Sequence, residues 1–175
     1  MPMFFTPIRR SALCALLFVS AACGAATAPG APVRNDRVEV SYRNPAGFSE
    51  MGRDFGVRRD WLDDLSAYVA KRAASAVPPG QRLLVTITDV QRAGMIEPWR
   101  RAGTDLRVVR DTTPPRIDLS FQLVTADGAV VKEGVRELRD FAFLTRSMRH
   151  RGDLLSYEKN LVDDWVRQEF GASRR

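Results

Sequence analysis

Alternating apolar and polar strand segments, two amphipathic helical segments and one Asp-Gly turn make this chain read as an α/β protein. The expected architecture is a two-layer sandwich in which a mixed sheet of about four strands carries two helices on one face, in the order β-α-β-β-β-α.

The N-terminus is read first. Arg9 and Arg10 precede a short apolar run, Ser11 to Ala22, that ends in small residues. A charged start, a run of roughly a dozen apolar residues and a small-residue end are the marks of a secretory signal peptide, and a membrane span would need about 20. Residues 1–28 are therefore taken as the signal peptide and the start of a tether, and the working compartment as the periplasm. A lipoprotein anchored through Cys23 is the alternative, because small residues also precede that cysteine, although Ser20 stands where leucine or valine is usual. Arg9-Arg10 also admits twin-arginine export, a route for proteins folded around a cofactor, but no cofactor motif follows.

Residues 25–35 are small residues and prolines without periodicity, so order is expected from Asp36 and a single domain over residues 36–171. Removing the leader leaves about 150 residues, enough for one hydrophobic core and too few for two. Both cysteines, Cys14 and Cys23, lie in the leader region, so the folded part is held by packing without a disulfide.

Val38, Val40 and Tyr42 alternate with Glu39 and Ser41, the period-2 pattern of a half-buried strand. Residues 43–59 contain Asn44-Pro45, Gly47, Gly52 and Gly56 and read as a loop. Asp60 then opens a helix whose Trp61, Leu62, Leu65, Tyr68, Val69, Ala73 and Ala76 share one face, and Val77-Pro-Pro-Gly80 stops it. In the next strand, residues 82–90, Leu83, Val85 and Ile87 face one way and Leu84, Thr86 and Thr88 the other, which suits a central position.

About 25 residues separate that strand from the next, against a median near 4–6 in compact domains. Part of this stretch, Leu106 to Val108, reads as a short edge strand. Ile117, Leu119, Phe121 and Leu123 then alternate with polar residues, Asp127-Gly128 makes a hairpin turn, and residues 129–138 return as the partner strand. Strands apolar on one side only imply a sheet covered on one face. The closing helix is expected over residues 154–170, with Leu154, Tyr157, Leu161, Trp165 and Phe170 inward and Asp163, Asp164 and Arg167 in solvent. Trp61 and Trp165 should both be buried against the sheet.

The runs Val38 to Pro45, Thr86 to Val90, Glu97-Pro-Trp99, Arg107 to Asp111, Pro114 to Leu119, Tyr157-Glu-Lys159 and Asp164-Trp165 resemble an exported proteobacterial family catalogued as domain of unknown function 3016. The resemblance spans residues 37 to 170. It implies an exported, periplasmic single-domain protein and carries no activity with it.

Chemistry is sparse. The formal charge of +6 falls to a modest excess, 25 basic against 21 acidic residues, once Arg9 and Arg10 are removed. Nucleic-acid binders concentrate basic residues in a stripe or present stacking aromatics on a known module, and neither pattern occurs. Only three basic residues are lysine (Lys71, Lys132, Lys159), a bias that fits genome base composition better than anion recognition.

One histidine, His150, and a cysteine-free folded part argue against zinc, and His150 among arginines reads as an exposed spectator. The pairs Asp63-Asp64 and Asp163-Asp164 are adjacent on helices and point about 100° apart, so they read as solvated faces. No glycine pattern cradles a phosphate, and no cofactor is implied.

The long connection from Gly94 to Arg116 holds what remains. Trp99 with Arg100, Arg101 and Arg107 supplies an apolar anchor and forked donors for an anionic partner. Glu97, between Met95-Ile96 and Pro98-Trp99, is the acid whose surroundings invite a role. The expectation is a non-enzymatic module of the cell envelope that uses the 94–116 loop to bind an envelope protein or an anionic ligand. The alternative is a minimal carboxylate-based hydrolase or transferase in the periplasm, built around Glu97 and the arginines.

Overall fold

The computed structural model describes residues 32–51, 60–97, 107–146 and 149–171. A five-stranded sheet is built from β1 (Val33–Arg34), β2 (Val38–Tyr42), β3 (Gln81–Gln91), β6 (Arg116–Thr125) and β7 (Val130–Arg139), in the spatial order β1-β2-β3-β6-β7. β4 (Met95–Ile96) and β5 (Arg107–Val108) form a separate antiparallel ribbon. The helices are α1 (Asp60–Ala74) and α2 (Ser156–Phe170). β2 and β3 run parallel, as a strand-helix-strand crossover through α1 permits, and every other pair is antiparallel. The α/β class, the mixed sheet and the two helices agree with the reading of the sequence, and β3 is central.

One apolar core fills the space between the sheet and the helices. It takes Val38 and Val40 from β2, Leu83, Val85 and Ile87 from β3, and Ile117, Leu119, Phe121 and Leu123 from β6. Trp61, Leu62, Leu65 and Val69 enter from α1, and Leu161, Val162, Trp165 and Val166 from α2. Trp61 is 5% exposed and Trp165 2%, as their helical spacing demands. Trp165 and Phe170 both meet Phe121 edge-on, with ring centroids 5.8 and 5.7 Å away.

β7 closes the core by another route, with few apolar side chains on its covered face. Lys132 lies 5.5 Å over the Phe170 ring and Arg136 5.4 Å over Phe121, and both cations pair with Glu169. Their aliphatic stems cover the aromatic edge while their charged heads stay wet. Gly128, at φ 89°, gives the positive dihedral the hairpin turn needs.

Several details depart from expectation. Val33 and Arg34, inside the presumed tether, pair with Val40 and Glu39 as a fifth sheet strand, too short to show a period. Leu154 precedes α2 and is 85% exposed, because the helix starts at Ser156 and Leu155 takes the buried place. The segment expected as a sheet edge, Arg107–Val108, pairs instead with Met95–Ile96.

β3 also carries a bulge between Ile87 and Asp89. It shifts the alternation by one, so that Val90 enters the core and Asp89 faces Asp118 on the open side of the sheet. Arg116 lies between those carboxylates and pairs with both. Among the described residues no helix is long and apolar enough to cross a membrane.

Candidate functional site

The ribbon stands on a buried ionic base. A 3-10 turn at Pro45–Gly47 leads the chain to Phe48, which packs edge-on to Tyr42, and on to Glu50, which is fully buried. Glu50 accepts the Arg92 backbone N–H at 2.8 Å and pairs with the Arg107 guanidinium from β5. The next backbone amide, Ala93, donates at 2.7 Å to Glu158, in the first turn of α2 and equally buried. Burial pushes the Glu158 carboxyl above its ordinary range, with the Ala93 N–H and the charges of Arg92 and Arg107 opposing.

The arginines of this base are committed to groups within the chain. Arg107 also donates to the carbonyls of Ala93 and Gly94 at 3.2 and 3.0 Å. Arg92 donates to the Leu154 carbonyl at 3.0 Å and lies over the Trp61 ring at 5.6 Å. Glu97, directly after β4, is buried and held by both ends of the Arg110 guanidinium, at 2.8 and 3.2 Å. Gly94 has φ 73°, and a Cβ there would sit 2.8 Å from Val109 Cα and against the Val108 carbonyl, so only glycine lets β4 and β5 approach this closely.

The predicted binding residues therefore divide. Glu97 and Arg107 lie together in the ribbon and are committed to partners within the chain. Arg107 cannot offer its fork to a ligand as expected, because Glu50 and two carbonyls occupy it. Trp99, Arg100 and Arg101 lie outside the described residues, in the 98–106 connection between the ribbon's two strands.

A second cluster was missed by the sequence reading. Asp163, expected in solvent, is buried on α2 and accepts from the Tyr68 hydroxyl (2.8 Å), Arg72 Nε (2.8 Å) and His150 Nε2 (3.1 Å). His150 is thus a docked residue and not a spectator, and its ring also meets Tyr68 edge-on. Burial alone would raise the Asp163 carboxyl, but the hydrogen bonds from Tyr68, His150 and Arg72 outweigh it and hold the group below its ordinary range. Burial and the Asp163 hydrogen bond push the Tyr68 hydroxyl up. The available signal was Tyr68 itself: a tyrosine on an inward helical stripe needs a partner for its hydroxyl.

Both clusters join segments distant in the chain, and their carboxylates have their oxygens occupied by protein donors. Their chemistry is positional: they fix the ribbon and the β7–α2 connection to the helices. Among the described residues no group of three or more His, Cys, Asp or Glu side chains is placed to hold a metal ion.

Fold and clusters together define a two-layer α/β protein whose accessory ribbon is locked by buried ion pairs. The chain belongs to the family described as "Protein of unknown function (DUF3016)", whose model matches residues 36–168. Comparisons with curated proteins and with solved structures give no match.

Proposed function

We propose that this protein is an exported, periplasmic, non-enzymatic binding module of the cell envelope, and that the 94–116 segment engages an envelope protein or an anionic ligand. The observation that carries the reading is the pair of buried carboxylates beneath the ribbon. Glu50 fixes β5 through Arg107, and Glu97 fixes the end of β4 through Arg110. The described residues on either side of the stretch that contains Trp99, Arg100 and Arg101 are therefore each fixed by a buried carboxylate. Pre-organisation of this kind lowers the ordering cost of binding, and tryptophan and arginine are the side chains that dominate interface energetics. The leader, with Arg9, Arg10 and its apolar run, supports the compartment.

The test is Arg100→Ser combined with Arg101→Ser in tagged protein used to capture partners from envelope extract. The expected result is an unchanged melting temperature with loss of a partner that wild type retains in fixed proportion. Equal recovery by both proteins at two salt concentrations would reduce the stretch to a connector.

A further inference from the structure

We propose that the connection between β7 and α2 is a membrane-contact surface that recognises an anionic phospholipid bilayer. The inference rests on a different surface from the 94–116 segment and does not depend on that reading. The described part of the connection, residues 140–146 and 149–155, is held down at four points. Phe143 packs edge-on to Tyr157 at 5.0 Å, and Arg146 bridges Asp140 at 2.7 Å and Asp164 at 2.5 Å. His150 bonds Asp163, and Asp153 takes both Lys159 and the Leu155 backbone N–H.

What this anchored segment turns outward is apolar and cationic. Phe141 is 73% exposed, Leu144 47% and Leu154 85%, half of the six large apolar residues left exposed among those described. Isolated exposed leucines need no explanation, but three large apolar side chains on one short, pinned connection do. Arg151 and Arg149 are exposed beside them. The nearby acids are already engaged: Asp140 with Arg146, Asp153 with Lys159, Asp163 with Arg72 and, at 3.7 Å, with Arg149, and Asp164 with Arg146 and Arg167. Across from Leu154, α1 adds one charge of each sign, Asp64 and Lys71.

Apolar side chains flanked by an excess of basic groups fit a bilayer interface: Arg72, Arg146, Arg149, Arg151, Lys159 and Arg167 outnumber Asp140, Asp153, Asp163 and Asp164. The phenylalanine and leucines enter the acyl boundary while the guanidiniums meet lipid phosphates. A second copy of this surface is disfavoured, because Arg149 and Arg151 would meet their own kind.

The experiment is vesicle sedimentation of the wild type and two double variants, Phe141→Ser/Leu154→Ser and Arg149→Ser/Arg151→Ser. All three proteins carry the same N-terminus, and melting temperature serves as the check on folding. Vesicles of phosphatidylcholine alone are compared with vesicles containing phosphatidylglycerol. Wild type should bind the phosphatidylglycerol vesicles, each variant should bind them about tenfold or more weakly, and added salt should release the wild type. Amide exchange in residues 140–146 and 149–155 should slow on the anionic vesicles and stay unchanged on phosphatidylcholine. Equal partition of all three proteins, absence of wild-type binding, or exchange protection elsewhere in the chain would overturn the proposal.

Discussion

Asp163 Oδ2 on α2 lies 3.1 Å from His150 Nε2 on the β7–α2 connection. The same imidazole nitrogen is 3.1 Å from the Tyr68 hydroxyl, whose proton is committed to Asp163 Oδ1. Both contacts therefore call for a proton on Nε2, and one carboxylate gathers α1, α2 and the connection into one arrangement.

Asp163→Ala should cost about 1–3 kcal/mol near neutral pH, because it leaves the half-buried Tyr68 hydroxyl and His150 with only each other as partners, while Arg72 can return to water. The Asp163 carboxyl is held below its ordinary range, so its contribution is present above that range and is lost as pH falls through the lowered value. Urea unfolding of both proteins across acid pH should show the gap closing at the acid end. A gap independent of pH would separate the stabilisation from the ionised form.

Glu158 has the opposite sign. Burial raises its carboxyl, so the stability tied to the protonated form is lost as pH rises through the raised value. Glu158→Gln keeps an acceptor for the Ala93 N–H and has no proton to lose. Wild type should therefore gain stability relative to Glu158→Gln as the medium is acidified. Glu158→Ala, which strands the Ala93 amide, should lose about 1–3 kcal/mol near neutral pH. Denaturation midpoints of the three proteins at matched pH values check both statements.

Trp61→Ala and Trp165→Ala should each cost about 3–5 kcal/mol, the usual range for removing a buried large aromatic. Trp165 removal also strips one of the edge contacts on Phe121. Wild-type melting behaviour in both variants would contradict the packing.

Export is checked by intact mass. Protein recovered from the periplasm should begin between residues 22 and 29, without Met1, and should carry no acyl group on Cys23. A full-length mass on cytoplasmic protein would remove the compartment from the proposal.

The main elements were legible because their patterns are long enough to repeat. β3 and β6 show three or four alternations, α1 shows four turns, and the Asp127-Gly128 turn fixes the hairpin. β1, β4 and β5 are two residues each and have no period to read. The bulge beside Thr88 leaves no mark in composition, yet it decides that Val90 and not Asp89 is buried. The buried carboxylates were harder still. Glu50, Glu158 and Asp163 sit inside only because donors from distant segments converge on them, and one-dimensional spacing carries nothing of that convergence. Glu97 stands out for its apolar neighbours, but nothing in the spacing singles out Arg110 as its partner.

The strand order has a kinetic consequence. Among the described strands of the sheet, β6 and β7 find each other through a tight turn, where Val124 pairs with Val130, as the two-residue β1 does with β2. The central strand has no such neighbour: Leu83 pairs with Val38 on one side and with Leu123 on the other, both far along the chain. A hairpin closes in about 1–10 μs, whereas uniting β2, β3 and β6 requires two long loops to close before any contact rewards them. The β6–β7 hairpin should then be the early nucleus and β3 docking the slow step. A chain that assembles its centre late stays extended longer after synthesis, the condition in which a polypeptide can be threaded through a translocation channel.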